Sequence, residues 1–228
     1  MSAAVWAVVV AAGEGTRFGG HKQFAVLGEQ SVLHLAVSSV LSSVDGVVVV
    51  LPADLASSHE PHEAWSELAE IRQATGRSTR AGSVRAGLEL VPDDCEIVVV
   101  HDAARPLSSA KLCAAVVAAV RDGADGAVPV LAITDTVKRV SGDRVVETLE
   151  RTSLVRVQTP QAFVCEMLRR AHEGEPEATD DAGLVEALGG KVVVVEGEAT
   201  NLKITEPEDL ELASWLHAQG APVGPSLQ

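Results

Sequence analysis

Residues 11 to 24, AAGEGTRFGGHKQF, place glycines, an arginine and a lysine in an order suited to an anion. Gly13 and Gly15 let the backbone turn and present N–H groups, and Arg17 and Lys22 can approach phosphate oxygens. Neither common phosphate cradle is present. The dinucleotide fingerprint needs a third glycine where Phe18 stands, and the P-loop needs a lysine at 21 followed by Ser or Thr. Gly15 and Gly20 have the P-loop spacing, but His21, Lys22 and Gln23 follow. The alternative is a tight β-to-α turn carrying solvated charges.

Four further clusters carry candidate chemistry. In HDAARP, 101 to 106, Asp102 suits a metal ion or a hydroxyl, and Arg105 suits a phosphate. An Asp102–Arg105 ion pair bracing a turn fits the spacing equally well. TNLKITE, 200 to 206, holds Lys203, the only lysine or arginine after residue 191. Its alternative is a lysine snorkelling at a sheet edge. TGRSTRAGS, 75 to 83, offers Arg77, Arg80 and Ser83 for a base or phosphate, or simply a well-capped helix start. In ATDDAG, 178 to 183, Asp180 and Asp181 suit a metal or, more in keeping with acids after a threonine, a helix N-terminal cap. No HExxH, GxSxG or Cys–His spacing supports a zinc site or covalent catalysis, and His34 and His172 read as ordinary helix residues.

The positioning elements follow from the apolar runs. VWAVVV (5 to 10), GVVVVL (46 to 51), EIVVVH (96 to 101) and KVVVVE (191 to 196) read as strands, with weaker ones at 126 to 131 and 155 to 158. Continuous valine runs indicate strands covered on both faces, hence a mostly parallel sheet between helices. Helices are expected over 31 to 41, about 63 to 71, 82 to 91, 109 to 120, 164 to 172, 181 to 188 and 207 to 218, the last opened by Pro207. The fold class is α/β, a doubly wound, Rossmann-like sheet with ligands at the carboxyl ends of its strands. The stretch TDTVKRVSGDRVVETLERTSL, 134 to 154, predicts a projecting β-hairpin arm. An isolated hairpin is marginal in water, so a partner subunit should cover it. Residues 1 to 219 read as one domain, and GAPVGPSLQ (220 to 228) as a disordered tail.

Composition narrows the partners. With 18 Lys and Arg against 32 Asp and Glu, the formal charge of −14 excludes a broad nucleic-acid surface. A bound nucleotide would need the few cations gathered around it. No run reaches the ~18 apolar residues of a membrane span, and the start lacks a secretory pattern, so a cytoplasmic protein is expected. Cys95, Cys113 and Cys165 are too scattered for a disulfide framework and read as buried thiols.

The glycine loop, HDAARP, TPQ at 159 to 161, TDD at 179 to 181 and NLKIT occur in an order that resembles the 2-C-methyl-D-erythritol 4-phosphate cytidylyltransferases of the non-mevalonate isoprenoid pathway, from about residue 5 to 216. The resemblance implies that CTP and methylerythritol phosphate give a CDP-alcohol and pyrophosphate, with Mg²⁺ as cofactor. It implies that Ala11, Ala12, Gly13 and Gly15 contact CTP, with Arg17 and Lys22 at its phosphates and Arg80 and Ser83 towards the base. Asp102, also the candidate metal ligand, and Arg105 match the alcohol-phosphate side, and Lys203 matches a lysine that neutralises the reacting phosphates. It further implies a homodimer whose arm reaches the neighbour's site, carrying Thr136, Lys138 and Arg151. The chain departs from the family pattern at Phe18 and His21, in a loop shortened before its lysine, and in lacking an acid near residues 75 to 80. Rival readings are a ribitol 5-phosphate cytidylyltransferase, which HDAARP disfavours, and a catalytically silent nucleotide-binding protein. A nicotinamide dehydrogenase is disfavoured by Phe18.

Overall fold

The structure is a computed structural model and describes residues 4–56 and 63–220. The tail expected from 220 lies, beyond its first residue, outside the described residues. The core is an eight-stranded sheet. Its strands are β1 (Val5–Val10), β4 (Gly46–Leu51), β5 (Glu70–Thr75), β6 (Ile97–Asp102), β7 (Gly126–Ala132), β10 (Val155–Val157), β11 (Gln161–Val164) and β12 (Val192–Glu196). A small hairpin, β2 (Val26–Leu27) and β3 (Gln30–Ser31), and the arm strands, β8 (Lys138–Ser141) and β9 (Arg144–Thr148), stand apart from it. The helices are α1 (Val32–Leu41), α2 (Glu63–Ser66), α3 (Arg80–Leu88), α4 (Ala110–Arg121), α5 (Cys165–Ala171), α6 (Asp181–Ala187) and α7 (Pro207–Ala218).

The order β10-β7-β11-β6-β1-β4-β5, with β12 on the outer side of β7, is mostly parallel; only β10 and β11 run against their neighbours. The valine runs explain this. Val8, Val48, Val98 and Val100 face one hydrophobic layer, while Val9, Val47, Val49 and Val99 face the other. Strands buried on both faces need helices on both sides. From β1 the sheet grows through β4 to β5 on one side and begins again with β6 on the other. The crevice of a doubly wound sheet opens at that reversal, beyond the carboxyl ends of β1 and β6.

Two expectations need correction. The helix expected over about 63 to 71 stops at Ser66, and Glu70–Thr75 becomes the edge strand β5. The open edge of β4 supplies a full parallel ladder, from Gly46↔Glu70 to Leu51↔Thr75, and this pairing overrides a locally helical pattern. The second is β11, absent from the sequence reading, which fills the space between β6 and β7 directly after the TPQ turn. The arm matches its expectation: Lys138↔Thr148 through Ser141↔Arg144 pair around a turn where Gly142 has φ +60°. All nine residues of its two strands are exposed.

Candidate active site

The loops that follow β1, β5 and β6 enclose one cavity of about 440 Å³ with the 201–205 segment. Its wall is set first by the glycine loop. Gly15 adopts φ +64°, and a Cβ there would lie 1.9 Å from the Gly20 carbonyl oxygen, so only glycine fits the turn. Gln23, buried to 3% exposure, donates from Nε2 to the carbonyls of Ala11 at 2.8 Å and Gly13 at 3.3 Å. Those bonds fix the peptide planes at the mouth of the loop. Gly76 closes the other side, since a Cβ on it would meet the Ala12 methyl at 2.0 Å.

Lys22 opens a 3-10 turn, Lys22–Phe24, and its Nζ donates to the Ile204 carbonyl at 2.6 Å. Burial, then the neighbouring charges of Lys203 and Arg17, lowers its pKa from the ordinary lysine value. The chain thus crowds cations here despite its overall negative charge. Four cations, Lys22, Arg77, Arg80 and Lys203, line the cavity against two carboxylates, Glu14 and Asp102.

A line of ion pairs crosses the floor. Lys203 Nζ lies 2.6 Å from Asp102 Oδ2, Arg80 Nε lies 3.1 Å from Asp102 Oδ1, and Arg80 Nη1 lies 2.8 Å from Asp181 Oδ2. Asp181 Oδ1 in turn lies 2.9 Å from His172 Nε2. Burial alone would raise the Asp102 pKa, but Arg80 and Lys203 outweigh it and hold the carboxyl ionised, well below the usual range. Burial also opposes the charge on Arg80, yet Asp102 and Asp181 raise its pKa overall. Lys203 is therefore a paired lysine rather than one merely snorkelling at the edge.

The ion pair considered between Asp102 and Arg105 does not form. Arg105 instead donates to the Asn201 carbonyl at 2.8 Å and braces the 201–205 segment, whose Ile204 N–H donates to the Ala104 carbonyl at 2.8 Å. His101 is fully enclosed, and burial pushes its pKa down to about 4. A neutral ring satisfies its neighbours: Asp102 N–H donates to Thr159 Oγ1 at 3.0 Å, Thr159 donates to His101 Nδ1 at 3.2 Å, and His101 Nε2 donates to the Arg105 carbonyl at 3.2 Å.

TGRSTRAGS forms the well-capped turn, one of its two readings. Thr79 caps α3 by accepting from Gly82 N–H at 3.0 Å, and Ser83 accepts from Arg77 N–H at 3.1 Å while donating to the Thr79 carbonyl at 3.0 Å. The same turn faces the cavity through Arg77, Arg80 and Ser83. In ATDDAG, Asp180 caps α6 by accepting from Gly183 N–H at 3.2 Å, while Asp181 holds Arg80.

Ala11, Ala12, Gly13, Gly15, Lys22, Arg80, Ser83, Asp102 and Lys203 all line the cavity; Arg17, Arg105, Thr136, Lys138 and Arg151 do not. Lys138 Nζ donates to Thr148 Oγ1 at 2.6 Å on the arm, and Arg151, beyond the arm strands, donates to the Thr134 carbonyl. Asp102 fits a protein-held metal poorly, because each of its oxygens is already taken by a cation. Among the described residues, no group of three or more His, Cys, Asp or Glu side chains is placed to hold a metal ion.

Residues 5–218 match the family model described as "IspD: 2-C-methyl-D-erythritol 4-phosphate cytidylyltransferase". The chain belongs to this family. It is 47% identical to the 2-C-methyl-D-erythritol 4-phosphate cytidylyltransferase of Rhodococcus opacus, with 95% of this chain and 96% of that one covered. It is 42% identical to the enzyme of the same name from Rubrobacter xylanophilus, with 96% of each chain covered. The crystal structure of the cytidylyltransferase from Thermus thermophilus superposes with a TM-score of 0.76 at 36% identity, covering 92% of this chain and 98% of that one.

Several residues that hold this family member's site escaped the sequence reading. Gln23 looked like one polar residue in a polar loop, and His172 like an ordinary helix residue. Asn201 is wholly buried and donates from Nδ2 to the Thr159 carbonyl at 2.9 Å, tying NLKIT to TPQ. Their partners lie 9 to 42 residues away in sequence, and no local pattern marks them.

Proposed function

We propose that the chain transfers CMP from CTP to 2-C-methyl-D-erythritol 4-phosphate, giving 4-diphosphocytidyl-2-C-methyl-D-erythritol and pyrophosphate. The observation that carries this is the convergence of the glycine loop, Lys22 and Lys203 on one cavity at the sheet's reversal, in a chain whose family bears that activity's name.

An alcohol phosphate has its second pKa at about 6, so at neutral pH it is already an anionic nucleophile and needs no general base. Its oxygen attacks the α-phosphorus of CTP, the bond to the β-phosphate bridging oxygen breaks, and pyrophosphate leaves with the electron pair. The protein's task is alignment and neutralisation. The glycine loop receives the triphosphate, Lys22 and Arg17 offset its charge, and Arg80 and Ser83 border the base side. Lys203, held by Asp102, faces the reacting phosphates. Mg²⁺ is proposed to arrive on the triphosphate rather than to reside on the protein, where it would offset phosphate charge.

A homodimer belongs to the same proposal. Among the described residues the hairpin has no sheet neighbour, and Val140, Val145 and Val146 on it are each more than half exposed. A second copy covering the arm would bury them and bring Thr136, Lys138 and Arg151 to the neighbouring cavity, with Arg105 supporting the alcohol-phosphate side. We place this work in the cytoplasm, a reducing compartment that suits three free, buried cysteines. No described helix is long and apolar enough to cross a membrane.

Pyrophosphate release with CTP and Mg²⁺ tests the reading, comparing methylerythritol phosphate with ribitol 5-phosphate and with ATP, GTP and UTP as controls. Strong preference for CTP and methylerythritol phosphate is expected. Preference for ribitol 5-phosphate, or CTP binding with release from neither alcohol, would replace the proposal with the sister activity or a silent nucleotide-binding role.

The depressed Lys22 pKa sets the alkaline side of the pH profile. Lys22 loses its proton at a lower pH than an ordinary lysine, so kcat/KM, which reports the free enzyme, should fall as pH rises through that shifted value and below 10.5. Lys22→Arg should move this limb to higher pH in whatever activity remains. A limb that stays in place in the variant would assign it to another group.

A further inference from the structure

At the opposite end of β6 from Asp102 lies a second cavity, of about 700 Å³, lined in part by Cys95, Cys165 and Arg169. The two cysteines come together through the sheet. Val164 of β11 pairs with Ile97 of β6, and one step further Cys165 N–H donates to the Glu96 carbonyl at 2.9 Å, so Cys165 lies beside the residue next to Cys95. Both side chains point into the same hydrophobic layer, with Val98 and Leu168, and both are nearly enclosed apart from the cavity wall they share. Arg169 is fixed over the same turn, donating to the carbonyls of Val91 at 2.6 Å and Pro92 at 3.1 Å.

We propose that Cys95 and Cys165 form a reactive dithiol that hydroperoxides convert to an intramolecular disulfide. The Cys165 thiolate attacks one peroxide oxygen. The O–O bond breaks, and the leaving hydroxide or alkoxide takes a proton. The resulting sulfenic acid is attacked by Cys95 sulfur, forming the S–S bond and releasing water with the Cys95 proton. Two thiols are oxidised by two electrons, and one hydroperoxide is reduced to an alcohol or water and a second water. The charge pattern suits this division of roles. The Cys95 thiol donates to the Ile97 carbonyl at 3.1 Å, and the neighbouring Cys165, then burial, raises its pKa, whereas Cys95 and then Arg169 lower that of Cys165 against the effect of burial. Cys113 supplies an internal contrast: it sits in the other hydrophobic layer, and burial pushes its pKa up to about 12.

The test treats the folded full chain with hydrogen peroxide, alkylates the remaining thiols after denaturation and maps the cysteine peptides by mass spectrometry. Two of the three thiols should disappear, with a Cys95–Cys165 linked peptide two hydrogens lighter than its parts and restored by dithiothreitol. Cys113→Ser should give the same linkage. Cys95→Ser should instead accumulate a sulfenic acid on Cys165 that a cyclic 1,3-dione traps. Three titratable thiols after peroxide, a linkage involving Cys113, or sulfinic acid on Cys165 without any disulfide in the unsubstituted chain would each overturn the proposal.

Discussion

Lys203→Ala should lower turnover on the order of 10²–10³-fold while the protein stays folded. The lysine's side chain is 43% exposed, so its pair with Asp102 is screened and its loss costs about 1 kcal/mol of stability or less. The effect on rate is larger because two anions meet in the proposed reaction, and the charge on the transferring phosphoryl group and leaving pyrophosphate needs a fixed cation. Asp102 remains paired with Arg80 in the variant, so the floor of the cavity is kept. The measurement is steady-state pyrophosphate release beside a thermal melt. Near-normal turnover would remove Lys203 from the catalytic set, and a large drop in melting temperature would assign it a structural role instead. Lys22→Ala should behave alike, with some added loss of order because its Nζ also holds the Ile204 carbonyl.

Mixing two inactive variants should restore activity if the arm completes a neighbouring site. Arg17→Ala damages a subunit's own phosphate loop, and Arg151→Ala removes the arginine proposed to come from a second copy. In a mixed dimer one site carries both defects and the other carries none. Random exchange of equal amounts makes half the dimers mixed, so about a quarter of the sites, and about a quarter of unsubstituted activity, should return. Exchange is followed independently by native mass spectrometry with one variant isotope-labelled. Complete exchange without recovery would mean that each site is built within one chain.

The strands that position the site were legible wherever burial on both faces forced a valine run. β1 and β4 have the expected bounds, and β6 and β12 begin one residue later than read, β6 extending to Asp102. β5 was not legible, because EIRQAT on an edge is mostly polar and its identity is decided by β4 rather than by its own pattern. At the site, Lys22 and Lys203 stood out because cations are scarce in an acidic chain, and Asp102 because it ends a valine strand. What no spacing revealed is who holds whom: Arg80 reaches Asp102 across 22 residues and Asp181 across 101, and Asp102, with a neighbouring arginine at 105, takes partners from 80 and 203. Such pairings depend on the assembled sheet, and local sequence carries no record of them.

The segment from Glu198 to Thr205 belongs to no helix or strand, yet it is tied on every side. Gln158 Nε2 donates to the carbonyls of Glu198 at 2.9 Å and Asn201 at 3.1 Å, Gln158 Oε1 accepts from Glu198 N–H at 3.0 Å, and the Glu198 carboxylate accepts from Ser109. Its ordering entropy is therefore met when the chain folds rather than when ligands arrive. A lysine on a free loop would spend part of each ligand's affinity on being ordered, whereas this one stands preorganised before either substrate enters.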